Sequence, residues 1–262
     1  MSDGIYSALS GAIAQQRSLD AAANNLANVN TTGYQADKTI FAEMLNRHNT
    51  PNEKDLKIAP SLRYATVSQF AVDPHPGSME LTGRPLDVSL HGDGYFTVRT
   101  ENGERYTRAG SFVLDQQGVL RTPGGYEVLA ETYGEPAKGE TLPAGQRIVL
   151  PLDAKDIQIA RDGTINADGQ PLYRFKLVTY DKQEDALREG LTLFTGQEGK
   201  QPHRIDPTTS IEQGYLEASN VNAISGMNEL ISLHRSFDAL EKVIDTFREI
   251  DNRTVRDVGG KV

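Results

Sequence analysis

The sequence predicts an α+β protein, mainly β, with a helix at each end whose apolar seam needs a partner and a β-rich domain between them. Three observations carry this prediction: a heptad pattern near the N-terminus, a second near the C-terminus, and a run of turn signals separating short strand-like stretches in between. The boundaries that follow are 1–34 and 215–262 for the helical ends, 35–76 for a connector and 77–214 for the β-rich domain.

At the N-terminus, Ile5, Leu9, Ala12, Gln16, Leu19, Ala23 and Leu26 follow alternating four- and three-residue steps, and all but Gln16 are apolar. Residues 1–34 carry only three charged side chains, Asp3, Arg17 and Asp20, which predicts burial on more than one side. Ser2 or Asp3 can cap the start, and Thr31, Thr32 and Gly33 supply the stop. Burying each Leu or Ile contributes roughly 1.5–3 kcal/mol, whereas an isolated helix of this length is marginal in water, so the seam needs a partner.

The connector is read as a short helix near Ile40, Phe41, Met44 and Leu45 followed by a polar stretch from Arg47 to Lys57. Beyond it, Asp93 and Gly94, Asn102 and Gly103, Gly124 and Gly125, Asp162 and Gly163, and Asp168 and Gly169 mark turns. Between them the strand candidates are Tyr95–Thr100, Phe112–Leu114, Tyr126–Leu129 and Ile157–Ile159. The clearest is Tyr173–Tyr180, where Tyr173, Phe175 and Leu177 alternate with Arg174 and Lys176 as in a half-buried strand.

Helical spacing returns near Tyr215 and runs through Ile250. Its seam is Leu216, Ser219, Ala223, Gly226, Leu230, Leu233, Phe237, Leu240, Ile244 and Phe247, and a second apolar stripe of Ile224, Met227 and Ile231 predicts a broad buried face. Glu241, Lys242, Asp245, Arg248 and Glu249 form the solvated side.

Composition narrows the function. The 262 residues include no cysteine, which excludes disulfides, thiolate metal sites and cysteine nucleophiles. A formal charge of -9 without clustered Lys or Arg argues against a nucleic-acid footprint. His48, His75, His91, His203 and His234 are too widely spaced for a zinc motif. The run Asp162–Asp168 resembles a calcium loop, but Ala167 stands where Gly is required and Tyr173 where the bidentate Glu belongs. Gly134 and Gly139 have phosphate-loop spacing, but Glu140 replaces the lysine. The scattered carboxylates nominate no catalytic pair. The expectation is a protein with no catalytic, cofactor-binding or metal site, no secretory leader and no membrane-spanning run.

Two Asn-rich strings frame the β-rich part. Asn24, Asn25, Leu26, Ala27, Asn28, Val29, Asn30, Thr31, Thr32, Gly33 and Tyr34 close the first helix, and Leu216, Glu217, Ala218, Ser219, Asn220, Val221 and Asn222 lead into the second. Asn side chains bond to nearby backbone and tolerate left-handed geometry, so two ordinary helix ends account for these strings equally well on chemistry alone.

The same residues closely resemble the signature strings of the flagellar rod and hook family. Thr82–Val88, Gly92–Phe96 and Tyr106–Phe112 resemble the family's middle blocks in the same order. The opening Ile5–Ala8 and Ser10–Ala12, with Arg84–Val88, is most similar to a rod branch, with the distal rod and the hook next.

The resemblance implies a structural axial subunit of the bacterial flagellar basal-body rod, whose terminal helices (1–34 and 215–262) pair as a coiled-coil inner (assembly) domain with the inserted β-rich outer domain (77–214) outside them, and which polymerises helically through those helices and transmits torque. It implies as partners further copies of itself, other rod proteins and, during uncleaved delivery to the periplasm-spanning rod, the flagellar export apparatus. The assembly interface is expected at Ile5, Leu9, Leu19, Leu26, Leu230, Leu233, Phe237, Leu240 and Ile244. Junction roles fall to Asn24, Asn25, Asn28, Gly33, Tyr34, Leu216, Glu217, Ser219, Asn220, Val221 and Asn222. The competing readings are a distal rod or hook subunit and, from another class, an oligomeric glycan-binding β-domain protein, which lacks paired carboxylates at a recognisable spacing.

Overall fold

The computed structural model describes residues 2–45, 63–131, 145–154, 156–180, 185–196, 200, 202–204 and 209–259. The protein is α+β and mainly β, with α1 (Ser2–Ala27) and α2 (Ala223–Gly259) toward the two ends and strands as the remaining elements among the described residues. It divides into two compact units, one of residues 1–27, 37–71 and 222–262, the other of residues 28–36 and 72–221.

In the first unit the two helices are in contact. Leu240 faces Gly11, the Gln15 amide donates to the Leu233 carbonyl at 3.3 Å, and Leu26 faces Gly226. As the number rises along α1 it falls along α2, so the helices run antiparallel. The same unit holds a two-stranded sheet of Asp37–Leu45 and Arg63–Val72. This corrects the helix expected near Ile40–Leu45: Thr39, Ile40 and Phe41 suit a strand, and pairing with a distant segment supplies the backbone bonds that a short helix would leave unmade. The polar stretch Arg47–Lys57 lies outside the described residues.

The second unit is built on a ten-stranded antiparallel sheet. Its main path runs Ala186–Glu189, Leu193–Gly196, Gly103–Thr107, Tyr95–Thr100, Glu127–Ala130, Leu120–Arg121, Val113–Leu114. A three-stranded sheet follows the order Ile157–Ile159, Thr164–Ala167, Gln170–Arg174. Two further pairings return the end of the unit to its beginning: Ser210–Gln213 lies on Val88–His91, and Tyr215–Glu217 lies on Met79–Leu81.

The main core is apolar and aromatic, with Val88, Leu90, Val98, Leu120, Val128, Ile148, Ile165 and Ile211 closed around Phe96, Phe112 and Phe175. Phe96 meets the other two rings edge-on at centroid distances of 5.3 and 5.4 Å, the arrangement their quadrupoles favour. A second cluster gathers Tyr95, Tyr106, Tyr180 and Phe194.

The expected strands Tyr95–Thr100 and Ile157–Ile159 form with those bounds, and Tyr126–Leu129 and Phe112–Leu114 shift or shorten by a residue. Tyr173–Tyr180 does not form as one strand. It splits into Gln170–Arg174 and Leu177–Thr179, because Phe175 N–H donates to the Gly163 carbonyl while Lys176 N–H donates to the Leu129 carbonyl, carrying the chain from one sheet to the other. Lys176 is therefore buried and ion-paired to Glu104 at 2.8 Å instead of facing solvent.

The second helix also starts later than the heptads suggest. Tyr215–Glu217 is a strand, and α2 begins at Ala223. Leu216 and Ser219 continue the helical phase in sequence, but the ladder to Met79–Leu81 claims the backbone first.

Candidate functional site

Along α2 the seam positions Ala223, Gly226, Leu230, Leu233, Phe237, Leu240, Ile244 and Phe247 are all half-buried, and between 223 and 250 the only other shielded side chain is Asp238. On α1 the partition is different. Ile5, Leu19 and Leu26 are half-buried, but Leu9 is 46% exposed, and the closed positions are Ala12, Ala14, Ser18, Ala21 and Ala22. Small side chains on α1 let the larger residues of α2 approach its backbone, as Leu240 does at Gly11. The second stripe of α2 does not form the broad buried face expected of it: Ile224, Met227 and Ile231 are exposed and flank the half-buried seam, about a third of a turn around the helix.

The junction residues are brought together in two sets. In the helical unit the Asn25 amide makes a two-point bond to the Asp37 backbone, donating to its carbonyl at 2.9 Å and accepting from its N–H at 2.8 Å. Asn222 caps α2, its side-chain oxygen accepting from the N–H groups of Ile224 and Ser225 at 3.0 and 3.1 Å. Asn24, on α1, is exposed.

In the β unit, Asn28 is buried and its side-chain oxygen accepts from the Thr31 hydroxyl. Gly33 donates to the Glu217 carbonyl at 2.8 Å. Asn220 joins three stretches of chain. Its side-chain oxygen accepts from Ala36 N–H at 2.7 Å, its amide donates to the carbonyls of Asp73 and His75, and its own N–H donates to the Tyr34 carbonyl. Ser219 accepts from Val221 N–H through its hydroxyl, while Leu216 and Val221 are half-buried.

At the centre of this second set lies a buried ion pair. Glu217 accepts from Arg108 Nε at 2.9 Å, with side chains 2% and 5% exposed. The remaining Glu217 oxygen accepts from Gly77 N–H at 3.2 Å, and Arg108 Nη1 donates to the carbonyls of Gly92 and Gly94 at 2.8 and 2.7 Å. Both charges are thus hydrogen-bonded beyond each other, the condition under which a buried pair is tolerated. Tyr34 is 1% exposed beneath the Arg188 guanidinium, which lies 4.6 Å from its ring centre and donates to the Gln35 carbonyl.

Arg108, Gly77 and Arg188 complete this junction and were not singled out as site residues from the sequence, although Arg108 lies in the block Tyr106–Phe112 that carries part of the resemblance. Among the described residues no group of three His, Asp or Glu could hold a metal ion, and no helix is long and apolar enough to cross a membrane.

Three family models match the chain in order: "Flagella basal body rod protein" over residues 5–35, "Flagellar hook protein FlgE/F/G D1 domain" over 89–167, and "Flagellar basal body rod FlgEFG protein C-terminal" over 212–256. The flagellar basal-body rod protein FlgF of Escherichia coli is 34% identical to it, with 94% of each chain covered. The chain belongs to the flagellar basal-body rod protein family. This rod subunit is similar also to FlgF of Caulobacter vibrioides, 27% identical with 99% of each chain covered, and to FlgG of Bacillus subtilis, 30% identical with 94% of this chain and 95% of that one covered. It is a structural subunit of the basal-body rod, as the resemblance of its Asn-rich strings implies, and FlgF-like, as the opening Ile5–Ala8 and Ser10–Ala12 with Arg84–Val88 imply. The first and last family models cover the two strings, and the fold joins those strings to each other, since Gly33 and Tyr34 from one bond directly to Glu217 and Asn220 from the other.

Proposed function

We propose that this rod subunit polymerises helically with copies of itself and other rod proteins through its terminal helices and carries torque along the rod without performing catalysis. The helices, lying within residues 1–34 and 215–262, act as a coiled-coil inner domain, the outer domain of residues 77–214 is inserted between them, and residues 35–76 connect the two. The subunit reaches the periplasm-spanning rod through the flagellar export apparatus, without cleavage. One observation supports this most: the half-buried register of α2 runs unbroken from Ala223 to Phe247 against the small-residue face of α1, so each helix needs the other to hold its shape.

Replacing Leu233 or Leu26 by Asp puts a charge into that seam and is expected to abolish rod assembly and motility, while the β unit keeps its native near-UV dichroism. Normal rods built from Leu233→Asp subunits would contradict the proposal.

A further inference from the structure

The hairpin between the strands Tyr95–Thr100 and Gly103–Thr107 turns through Glu101 and Asn102, both exposed. Asn102 is the only asparagine of the sequence that a glycine follows. Such a pair is chemically reactive, because glycine has no side chain to shield its backbone nitrogen from the amide carbon of the asparagine before it. Gly103 has a φ of +102°, and outside the adjoining residues the atom nearest to the place of a β-carbon is Arg105 Nη1, at 3.8 Å.

Arg105 is placed to act on that same peptide. Its Nη1 donates to the carbonyls of Asn102 and Glu104, each at 3.0 Å, while Nε and Nη2 donate to Glu189, two strands along the sheet. The Arg105 side chain is 16% exposed, so its planar fork is held in one place. The Asn102 carbonyl is the oxygen of the peptide whose nitrogen belongs to Gly103. When that nitrogen loses its proton, the negative charge spreads onto this oxygen. A guanidinium bonded there stabilises the anion and makes the nitrogen a readier nucleophile, while Glu189 offsets part of the positive charge.

We propose that Asn102 is a self-modification site, where the hairpin converts the asparagine to aspartate or isoaspartate with Arg105 as the activating group. The reaction needs only hydroxide and water. Hydroxide takes the Gly103 N–H proton, the nitrogen bonds to Asn102 Cγ, and the Cγ–Nδ2 bond breaks. Ammonia leaves with a proton from water, which returns the hydroxide. A water molecule then opens the cyclic imide at either carbonyl, and nothing is oxidised or reduced. Both products add a negative charge between Glu101 and Glu104, and isoaspartate also lengthens the backbone by a carbon at the turn that sets the Thr100–Gly103 pairing. The Asp-Gly turns of this unit react more slowly, since an ionised carboxylate resists attack. Two of them are also tied up, Asp162 accepting from the N–H and hydroxyl of Thr164 and Asp168 from Asp156 N–H.

Peptide mapping and ammonia release, followed in the purified full-length protein at mildly alkaline pH below the range in which its tyrosines ionise, test the proposal. Conversion is expected at the peptide that carries Asn102, with isoaspartate among the products. It is expected to run about fivefold slower in Arg105→Met, the scale of an exposed charge contact. Arg105→Lys keeps the charge but loses the fork, and its rate is expected to fall in between. In urea all three chains are expected to convert at one rate, because the unfolded chain does not hold Arg105 at the carbonyl. Should Arg105→Met lose the near-UV dichroism of the folded protein, the comparison with Arg105→Lys decides. No conversion at Asn102, equal rates in the folded wild-type and variant proteins, or a difference that persists in urea would overturn the inference.

Discussion

Glu217 does three things at once: its carboxylate neutralises Arg108, its second oxygen holds Gly77, and its backbone carbonyl receives Gly33. Removing the side chain strands a buried guanidinium, and breaking a buried pair from one side costs about 3–5 kcal/mol. Glu217→Ala is therefore expected to lower the stability of the β unit by that amount in urea, and Arg108→Met in the same background is expected to recover part of it. Effects that simply add, within about 0.5 kcal/mol, would show that the two residues do not interact. Gly33 offers a sharper contrast. Its φ of +67° disfavours any side chain, and a β-carbon there would stand 2.4 Å from Ala109 N, whereas Gly83, at φ +69°, has nothing within 4 Å. Gly83→Ala should cost only about 1 kcal/mol of backbone strain, while Gly33→Ala should cost several-fold more because backbone has to move. Equal urea midpoints for the two variants would contradict this view of the junction.

Among the elements, the strands that share the tyrosine cluster give the β unit an alkaline limit. Burial, opposed in part by Arg105, pushes the Tyr106 hydroxyl from 10.0 up to about 12, and burial raises Tyr95 and Tyr180 as well. The raised value means that the folded state holds the proton more tightly than the unfolded chain. The contribution from Tyr106, roughly 2–3 kcal/mol, is complete below pH 10 and disappears as pH rises through 12. Alkaline titration should show tyrosinate absorbance rising together with loss of the β signal, and Tyr106→Phe should move the midpoint upward. An unchanged midpoint would detach the cluster from stability.

How far the elements could be read from the sequence depended on what their neighbours demanded. The register of α2 was legible from Ala223 to Phe247 because each step carries an apolar side chain large enough to mark it. That of α1 was not, because its closed face is Ala14, Ser18, Ala21 and Ala22, and the bulkier Leu9 stands toward solvent. Tyr215–Glu217 and Ile40–Leu45 kept helical spacing yet became strands, since partners far away in sequence claimed their backbones. The Asn strings were visible as motifs. Their joint function was not, because Arg108 and Gly77, which complete it, lie in other segments.

At the scale of the molecule, the first segment after α1 and the last segment before α2 close on each other in the β unit, Gly33 on Glu217 and Tyr34 and Ala36 on Asn220. Both ends of the β unit are thereby tied to one buried node. The central proposal is that this rod subunit builds the rod with its helices. A density map of isolated basal-body rods at side-chain resolution tests it most directly. The expected map has α1 and α2 of every copy packed together nearest the rod axis, with residues 77–214 outside them. A map with the β unit nearest the axis, or with the two helices of one copy apart, would contradict it.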